Sequence, residues 1–204
     1  MNAPQGSEAW LQERCGHATA SEFSSILAKG QGIMRTKYLR RIVCERLTGK
    51  PSENSSYGGW QKNLERGQEQ EPFARMAYEA ATGNLVEEVG FIKHTALMSG
   101  ASPDGLIGAD GGCEIKSVIP TVQLDTILAG GYPSEHKAQI MGNLWITGRA
   151  WWDFCSFSPD MPEHLRCYVF RVARDDGYIR TLEAEVRVFL QSVDEMVVKL
   201  MERK

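Results

Sequence analysis

The chain predicts an α/β (α+β) domain in which a central sheet is flanked by helices. Three observations lead there. Helical apolar spacing fills the chain up to Thr82, and short turn-bounded segments of period two run from 85 to 119. The remainder returns to helices, two aromatic-rich strands and a long amphipathic helix. At 204 residues, 42% hydrophobic and 24% charged, the composition is that of an ordinary globular chain with one substantial core. One domain spanning 1–204 is expected.

The elements follow in order. Ser7 caps a short helix over 7–15, which sets Trp10 and Arg14 four residues apart on one side. A second helix starts near Thr19 or Ser21 and carries Phe23, Ile26 and Leu27. Thr36 caps a third, bearing Tyr38, Leu39, Ile42, Val43 and Leu47 and closed by Gly49 and Pro51. Residues 52–59 are polar and glycine-rich and read as a loop. A longer helix then runs to about Thr82, with Gly83 just past its end.

Beyond Gly83 the period changes. Residues 85–93 and 96–101 read as strands, then 105–109 and 113–119 as two more around Asp110-Gly111-Gly112. This hairpin would place Ile107 opposite Glu114 and Gly105 opposite Lys116, in a mostly antiparallel sheet. Helices follow at 121–129 and 134–147, and strands at 150–157 and 166–173. A last helix over 183–202 has Val186, Phe189, Leu190, Val193, Met196, Val197 and Leu200 at helical spacing. Alternation turns one member of the pair Trp151-Trp152 into the core, and the pair reads as structural rather than as a base-stacking platform.

A net charge of −3 and a pI near 5.9 do not advertise a nucleic-acid binder. The distribution is uneven, however. Seven basic residues stand between Lys29 and Lys50 against one acid, Glu45, and six glutamates stand between Leu64 and Glu88. A basic flank beside an acidic centre suits a protein that grips phosphates and concentrates cations. The five cysteines are odd in number and form no CxxC pair, so neither a zinc site nor a disulfide framework is expected. No apolar run approaches about 18 residues and no apolar signal region opens the chain. A soluble cytoplasmic protein without a membrane partner is expected.

The chemistry concentrates in Ser102-Pro103-Asp104-Gly105 and Glu114-Ile115-Lys116. Asp104 and Glu114 supply the charged oxygens that a hard divalent cation requires, and the backbone carbonyl of Ile115 can add another. Lys116 shares a strand face with Glu114 and can point at the same phosphate. In the hairpin register above, strict alternation turns Asp104 to the other face, so a bulge or kink is required there. Taken alone, Asp-x9-Glu-x-Lys is a loose pattern that a turn and a surface strand also satisfy. Its first reading is a metal-dependent nuclease.

The motif has company. Gly6-Ser7-Glu8-Ala9-Trp10, Arg14, Gly16 and Thr19-Ala20-Ser21-Glu22 open the chain. Gly67-x-x-x-Glu71 runs on through Ala74 to Thr82-Gly83, and Ala138-Gln139 with Trp145 follow the Asp-Glu-Lys core. Over most of its length this series resembles the lambda exonuclease family (the YqaJ-type viral recombinases), within the PD-(D/E)xK nuclease superfamily. The resemblance implies a restriction-endonuclease-like central mixed sheet flanked by helices. It implies a Mg²⁺-dependent 5′→3′ exonuclease, with Mn²⁺ as a substitute. Such an enzyme digests one strand of linear double-stranded DNA from 5′-phosphorylated ends, releasing 5′-mononucleotides and leaving a 3′-ended single strand.

The same resemblance assigns roles. Asp104, Glu114 and the Ile115 carbonyl would hold the metal, with Glu71 as the helix-borne acid that completes the site. Lys116 would orient the attacking water, and Gln139 would touch the lysine, the water or the scissile phosphate. His136, one turn before Gln139, stays outside the catalytic set. Arg14 and Ser21 resemble the pocket for the terminal 5′-phosphate, with Trp10 beside it as a DNA-end contact. Lys29 and Arg35 are the basic residues available to complete it, Gln31 standing near one expected position. His94 stands where some relatives carry an acid. A ring-shaped homotrimer around DNA and a single-strand annealing partner are implied as well. The alternatives are a restriction-like or repair endonuclease of the same superfamily and a non-catalytic DNA-binding module. An endonuclease has no terminal phosphate to bind, and a decayed module has no reason to keep Asp104, Glu114 and Lys116.

Overall fold

The computed structural model describes residues 3–28, 32–52 and 60–203, with the backbone alone for 60–68. The loop expected at 53–59 lies outside them. Helix α1 (Glu8–Arg14) starts at Ser7, whose hydroxyl accepts the Trp10 N–H. A two-residue strand β1 (Ala18–Thr19) and a 3₁₀ turn lead into α2 (Phe23–Leu27). Helix α3 (Ile33–Thr48) begins four residues earlier than expected. Gly32 is its cap, and the Thr36 N–H already donates to the Gly32 carbonyl at 3.2 Å, so Thr36 is not the cap. Gly49 ends α3 and Gly83 follows α4 (Trp60–Thr82), each in the left-handed region.

Residues 85–101 pair far less than their alternation suggested. Only β2 (Ile92–Lys93), β3 (Ser99–Ala101) and one bridge between Glu87 and Leu106 form. Alternation reports which face is wet; it does not supply a neighbour to pair with. Strand β3 lies parallel to β1 and antiparallel to β2 in a small three-stranded sheet.

The principal sheet has the order β4 (Gly105–Ile107), β5 (Gly111–Ser117), β6 (Trp151–Phe157), β7 (Cys167–Ala173). Strands β5 and β6 are parallel, joined through α5 (Pro120–Ala129) and α6 (Lys137–Thr147), and the other two pairs are antiparallel. The sheet is therefore mixed. Helix α7 (Asp176–Met201) starts seven residues before the periodicity suggested, because the Asp175 carboxylate caps it by accepting the Tyr178 N–H.

The hairpin register differs from expectation. Gly105 lies opposite Cys113 and Ile107 opposite Gly111, a shift of three residues that draws Gly111 and Gly112 out of the turn and into β5. The cause lies across the sheet. Gly111 and Gly112 pair with Trp151 and Trp152 of β6, and a Cβ on either glycine would come within 2.1 or 2.3 Å of an indole ring. Trp152 is fully buried there. The glycines make room for two indoles, and that places Glu114 rather than Lys116 beside the β4 entrance.

The sheet divides two cores. On one face α4 sets Ala74 and Tyr78 against Cys113, Ile115, Cys155 and Phe157. On the other, α2, α3, α6 and α7 close over Trp152, Phe154 and Val172. The Cys155 and Cys167 sulfurs lie 3.7 Å apart as free thiols. Among the described residues no helix is long and apolar enough to cross a membrane. Gly112→Ala should destabilise the protein by about 1–3 kcal/mol, because the added methyl must displace a packed indole. Urea unfolding followed by tryptophan fluorescence measures this, and a neutral result would remove the glycine–indole account of the register.

Candidate active site

Residues directly opposite in an antiparallel pair project to one face. The observed register, extended by one residue past Gly105, brings Asp104 opposite Glu114. The bulge that sequence reasoning required is therefore unnecessary; the three-residue shift does its work. Asp104 Oδ2 accepts the Ile115 N–H at 2.6 Å. The N–H and C=O of one strand residue point to the same edge, so the Ile115 carbonyl faces the same edge as Asp104.

Glu114 has no exposed surface, and a buried carboxylate needs donors. It has three. Lys116 Nζ donates to Oε1 at 2.5 Å and Gln139 Nε2 to the same oxygen at 2.6 Å, while Asn143 Nδ2 donates to Oε2 at 3.2 Å. Gln139 and Asn143 lie four residues apart on α6 and so share the face turned to β5. Asn143 was missed in the sequence, although its spacing from Gln139 is a helical signal. Its own side-chain oxygen has no partner among the described residues.

The electrostatics follow from burial and crowding. Burial, with the Glu114 charge second, pushes the Asp104 carboxyl up to about 7, against the pull of Lys116 and the Ile115 N–H. Burial works to lower the Lys116 pKa, but Glu114 and Asp104 outweigh it and hold the ammonium above its ordinary value. Glu71 is raised by burial and by Asp104. It reaches the site from α4, on the far side of the sheet, through a cleft of about 690 Å³ that Glu71, Arg75, Glu88 and Asp104 help to line. Arg75, one turn beyond Glu71, pairs with Glu88 at 2.6 Å.

A divalent cation fits this donor set. Two carboxylates crowd together with Lys116 as the cation that bonds one of them, and every available ligand is oxygen. Among the described residues no three His, Cys, Asp or Glu side chains close into a cage.

The two histidines lie differently. His136 stacks on Phe154 at 5.4 Å, and burial, then Lys116, drops its pKa to about 4, so it is neutral. His94 accepts the Ala96 and Leu97 N–H groups at 3.1 Å and packs on Trp145; it shapes a turn and touches none of the acids.

A second pocket of about 180 Å³ opens beside α1, lined in part by Trp10, Arg14, Ser21, Glu22 and Arg41. The Arg14 guanidinium lies over the Trp10 ring at 4.2 Å, and Arg14 Nη1 and Trp10 Nε1 both donate to Ser102 Oγ, at 2.9 and 3.0 Å. Ser102 stands two residues before Asp104, so this pocket and the acid pair share one short segment. Burial lowers the Arg14 pKa, and among the described residues Arg14 has no ion-pair partner. A partly buried guanidinium without a bonded carboxylate is a place for an anion. Arg35 is elsewhere, bonded to the Ile26 carbonyl and lying over Phe189 at 5.5 Å. Lys29 lies outside the described residues. Arg41, from the basic run on α3, occupies the pocket instead.

A profile of the YqaJ-like viral recombinase domain matches residues 9–150. An alkaline exonuclease, LHK-Exo, from Laribacter hongkongensis superposes with a TM-score of 0.86 at 34% identity, over 96% of this chain and 96% of that one. The same enzyme in complex with dAMP gives 0.87 at 34% identity, over 95% and 96%. A phage-related exonuclease from Haemophilus somnus 129PT shares the fold, with a TM-score of 0.69 at 12% identity over 90% of this chain and 96% of that one. No curated protein matches the chain.

Asn143→Ala takes a donor from a buried carboxylate and should cost about 1–3 kcal/mol of stability. Asn143→Asp should cost more, because it sets a second carboxylate against Glu114. Urea denaturation of both variants tests the order.

Proposed function

The chain belongs to the YqaJ-like viral recombinase family, and from that premise we propose that it is a Mg²⁺-dependent 5′→3′ exonuclease acting on linear double-stranded DNA. The observation that carries this reading is the buried Glu114, held by Lys116, Gln139 and Asn143 beside Asp104. Asp104, Glu114 and the Ile115 carbonyl would hold the cation, with Glu71 acting from the cleft side. When bound, Mg²⁺, or Mn²⁺ in its place, polarises a phosphoryl oxygen and lowers the pKa of a water.

The chain's own groups supply the rest. The Lys116 ammonium orients the attacking water and offsets negative charge as it gathers on the phosphoryl oxygens. Gln139 and Asn143 hold Glu114 in one rotamer, so the ligand oxygens need no rearrangement during reaction. Attack at phosphorus breaks the bond to the 3′-oxygen of the terminal nucleotide. That nucleotide leaves as a 5′-mononucleotide, and the shortened strand again ends in a 5′-phosphate. The Arg14 pocket suits that group, since a guanidinium meets phosphate with a planar fork of donors. Repetition leaves a 3′-ended single strand. A homotrimer ring threaded by DNA and a single-strand annealing partner complete the proposal; in a ring, positive charge need line only the channel, which reconciles the acidic pI with DNA binding.

Digestion of linear duplex with defined ends tests the reading. Products should require Mg²⁺ and appear from 5′ ends, while covalently closed circles stay intact; efficient cutting of circles would reject it. Lys116→Ala should lower the cleavage rate roughly 10²- to 10³-fold with DNA binding largely kept. Arg14→Ala should erase the preference for phosphoryl over hydroxyl 5′ ends, and an unchanged preference would remove the pocket from the mechanism.

A further inference from the structure

Arg14 alone does not explain selection of a terminal phosphate. A phosphodiester within the strand carries one negative charge, whereas a terminal monoester carries about −1.5 to −2 near neutrality. Discrimination between them needs a second cation that answers only to the second charge. Arg41 stands at that place. Its guanidinium lies 4.7 Å from the Tyr38 ring, and Tyr38 is itself stacked on Phe189 at 5.2 Å and bonded through its hydroxyl to the Thr19 N–H at 2.8 Å. Arg41 is therefore clamped to the wall that bears Thr19 and Ser21, whose hydroxyls lie 3.3 Å apart.

Arg41 is not free. Its Nη2 donates to Glu22 Oε1 at 2.9 Å, and Ser25 Oγ holds the other Glu22 oxygen at 3.0 Å. The remaining carboxylate of the pocket, Glu45, is turned to the Gly16 and Ser52 N–H groups. So the pocket presents one unpaired guanidinium, Arg14, and one already claimed, Arg41. At about 180 Å³ it lies below the size usual for drug-sized ligands but admits a tetrahedral anion.

We propose that Arg41 is a specificity-determining residue for the terminal 5′-phosphate, and that Glu22 holds it in reserve. A dianionic monoester bound to Arg14 draws the Arg41 fork from Glu22 to a second phosphoryl oxygen. Glu22 keeps its bond to Ser25. A monoanionic diester, or a 5′-hydroxyl end, lacks the charge to win the exchange. The inference rests on the end-phosphate reading above and adds to it the residue that reads charge.

The test compares linear duplexes bearing 5′-phosphoryl and 5′-hydroxyl ends, by single-turnover digestion with Mg²⁺ and by fluorescence anisotropy for binding. Arg41→Gln should lower the phosphoryl-to-hydroxyl rate ratio on the order of ten- to a hundredfold. Arg41→Lys keeps the stem and charge but loses the fork, and should fall between. Glu22→Gln releases Arg41 without the exchange, so affinity for phosphoryl ends should rise and the phosphoryl-to-hydroxyl ratio should hold or widen. A folded Arg41→Gln with the wild-type ratio overturns the inference, as does a Glu22→Gln with unchanged phosphoryl-end affinity. Should Arg41→Gln fail to fold, Arg41→Lys and Glu22→Gln decide. Wild-type protein indifferent to the 5′ group would instead reject end anchoring itself, and with it this inference.

Discussion

The arrangement depends on one buried charge. A carboxylate without exposed surface is tolerable only when its oxygens are met by donors, and the cost of leaving it unmet is several kcal/mol. Glu114 draws donors from two directions: Lys116 along its own strand, and the amides of Gln139 and Asn143 from α6. These bonds fix how α6 lies on the sheet, and so how the core beneath it packs. They also point the glutamate at Asp104, whose carboxyl is pushed up first by burial and then by the Glu114 charge. Structure and chemistry meet on this side chain because each demands the same geometry.

The glycine–indole contact is the second constraint, and it is purely steric. Gly111 and Gly112 resemble turn residues in sequence, and Asp110 before them strengthens that impression. In the fold they are strand residues that leave space for Trp151 and Trp152 across the parallel β5–β6 pair. The shift of three residues decides which side chain stands across from Asp104. Because side-chain direction alternates along a strand, an odd shift exchanges the faces of the whole hairpin. Two missing Cβ atoms thereby set the position of an acid pair several residues away.

Ser102 joins the two functional regions. Its hydroxyl accepts bonds from both Trp10 and Arg14, and Pro103 then leads directly to Asp104. The Pro103 carbonyl is in turn held by the Gln5 side chain at 2.8 Å. The Arg14 pocket and the Asp104–Glu114 pair are thus separated by two residues of restrained backbone.

The sequence by itself determined the layered α/β class, most helices, and the acids and lysine of the site, because apolar periodicity and ligand chemistry are local properties of residue types. Asp104, Glu114, Lys116, Gln139, Arg14 and Ser21 could all be named before any coordinate, since the motif order carried them. The three-residue register was not legible, because it depends on indoles more than thirty positions away in the chain. Neither was the replacement of Arg35 by Arg41 in the pocket: both belong to one basic run, and only the helix packing that buries Tyr38 against Phe189 selects which guanidinium turns inward. Asn143 stayed hidden for a related reason, as an amide on an apolar helix face gains meaning only when a charge is buried opposite it. The tertiary structure decided which donors meet which acceptors, because burial, unlike residue type, is a property of neighbours brought together from distant parts of the chain.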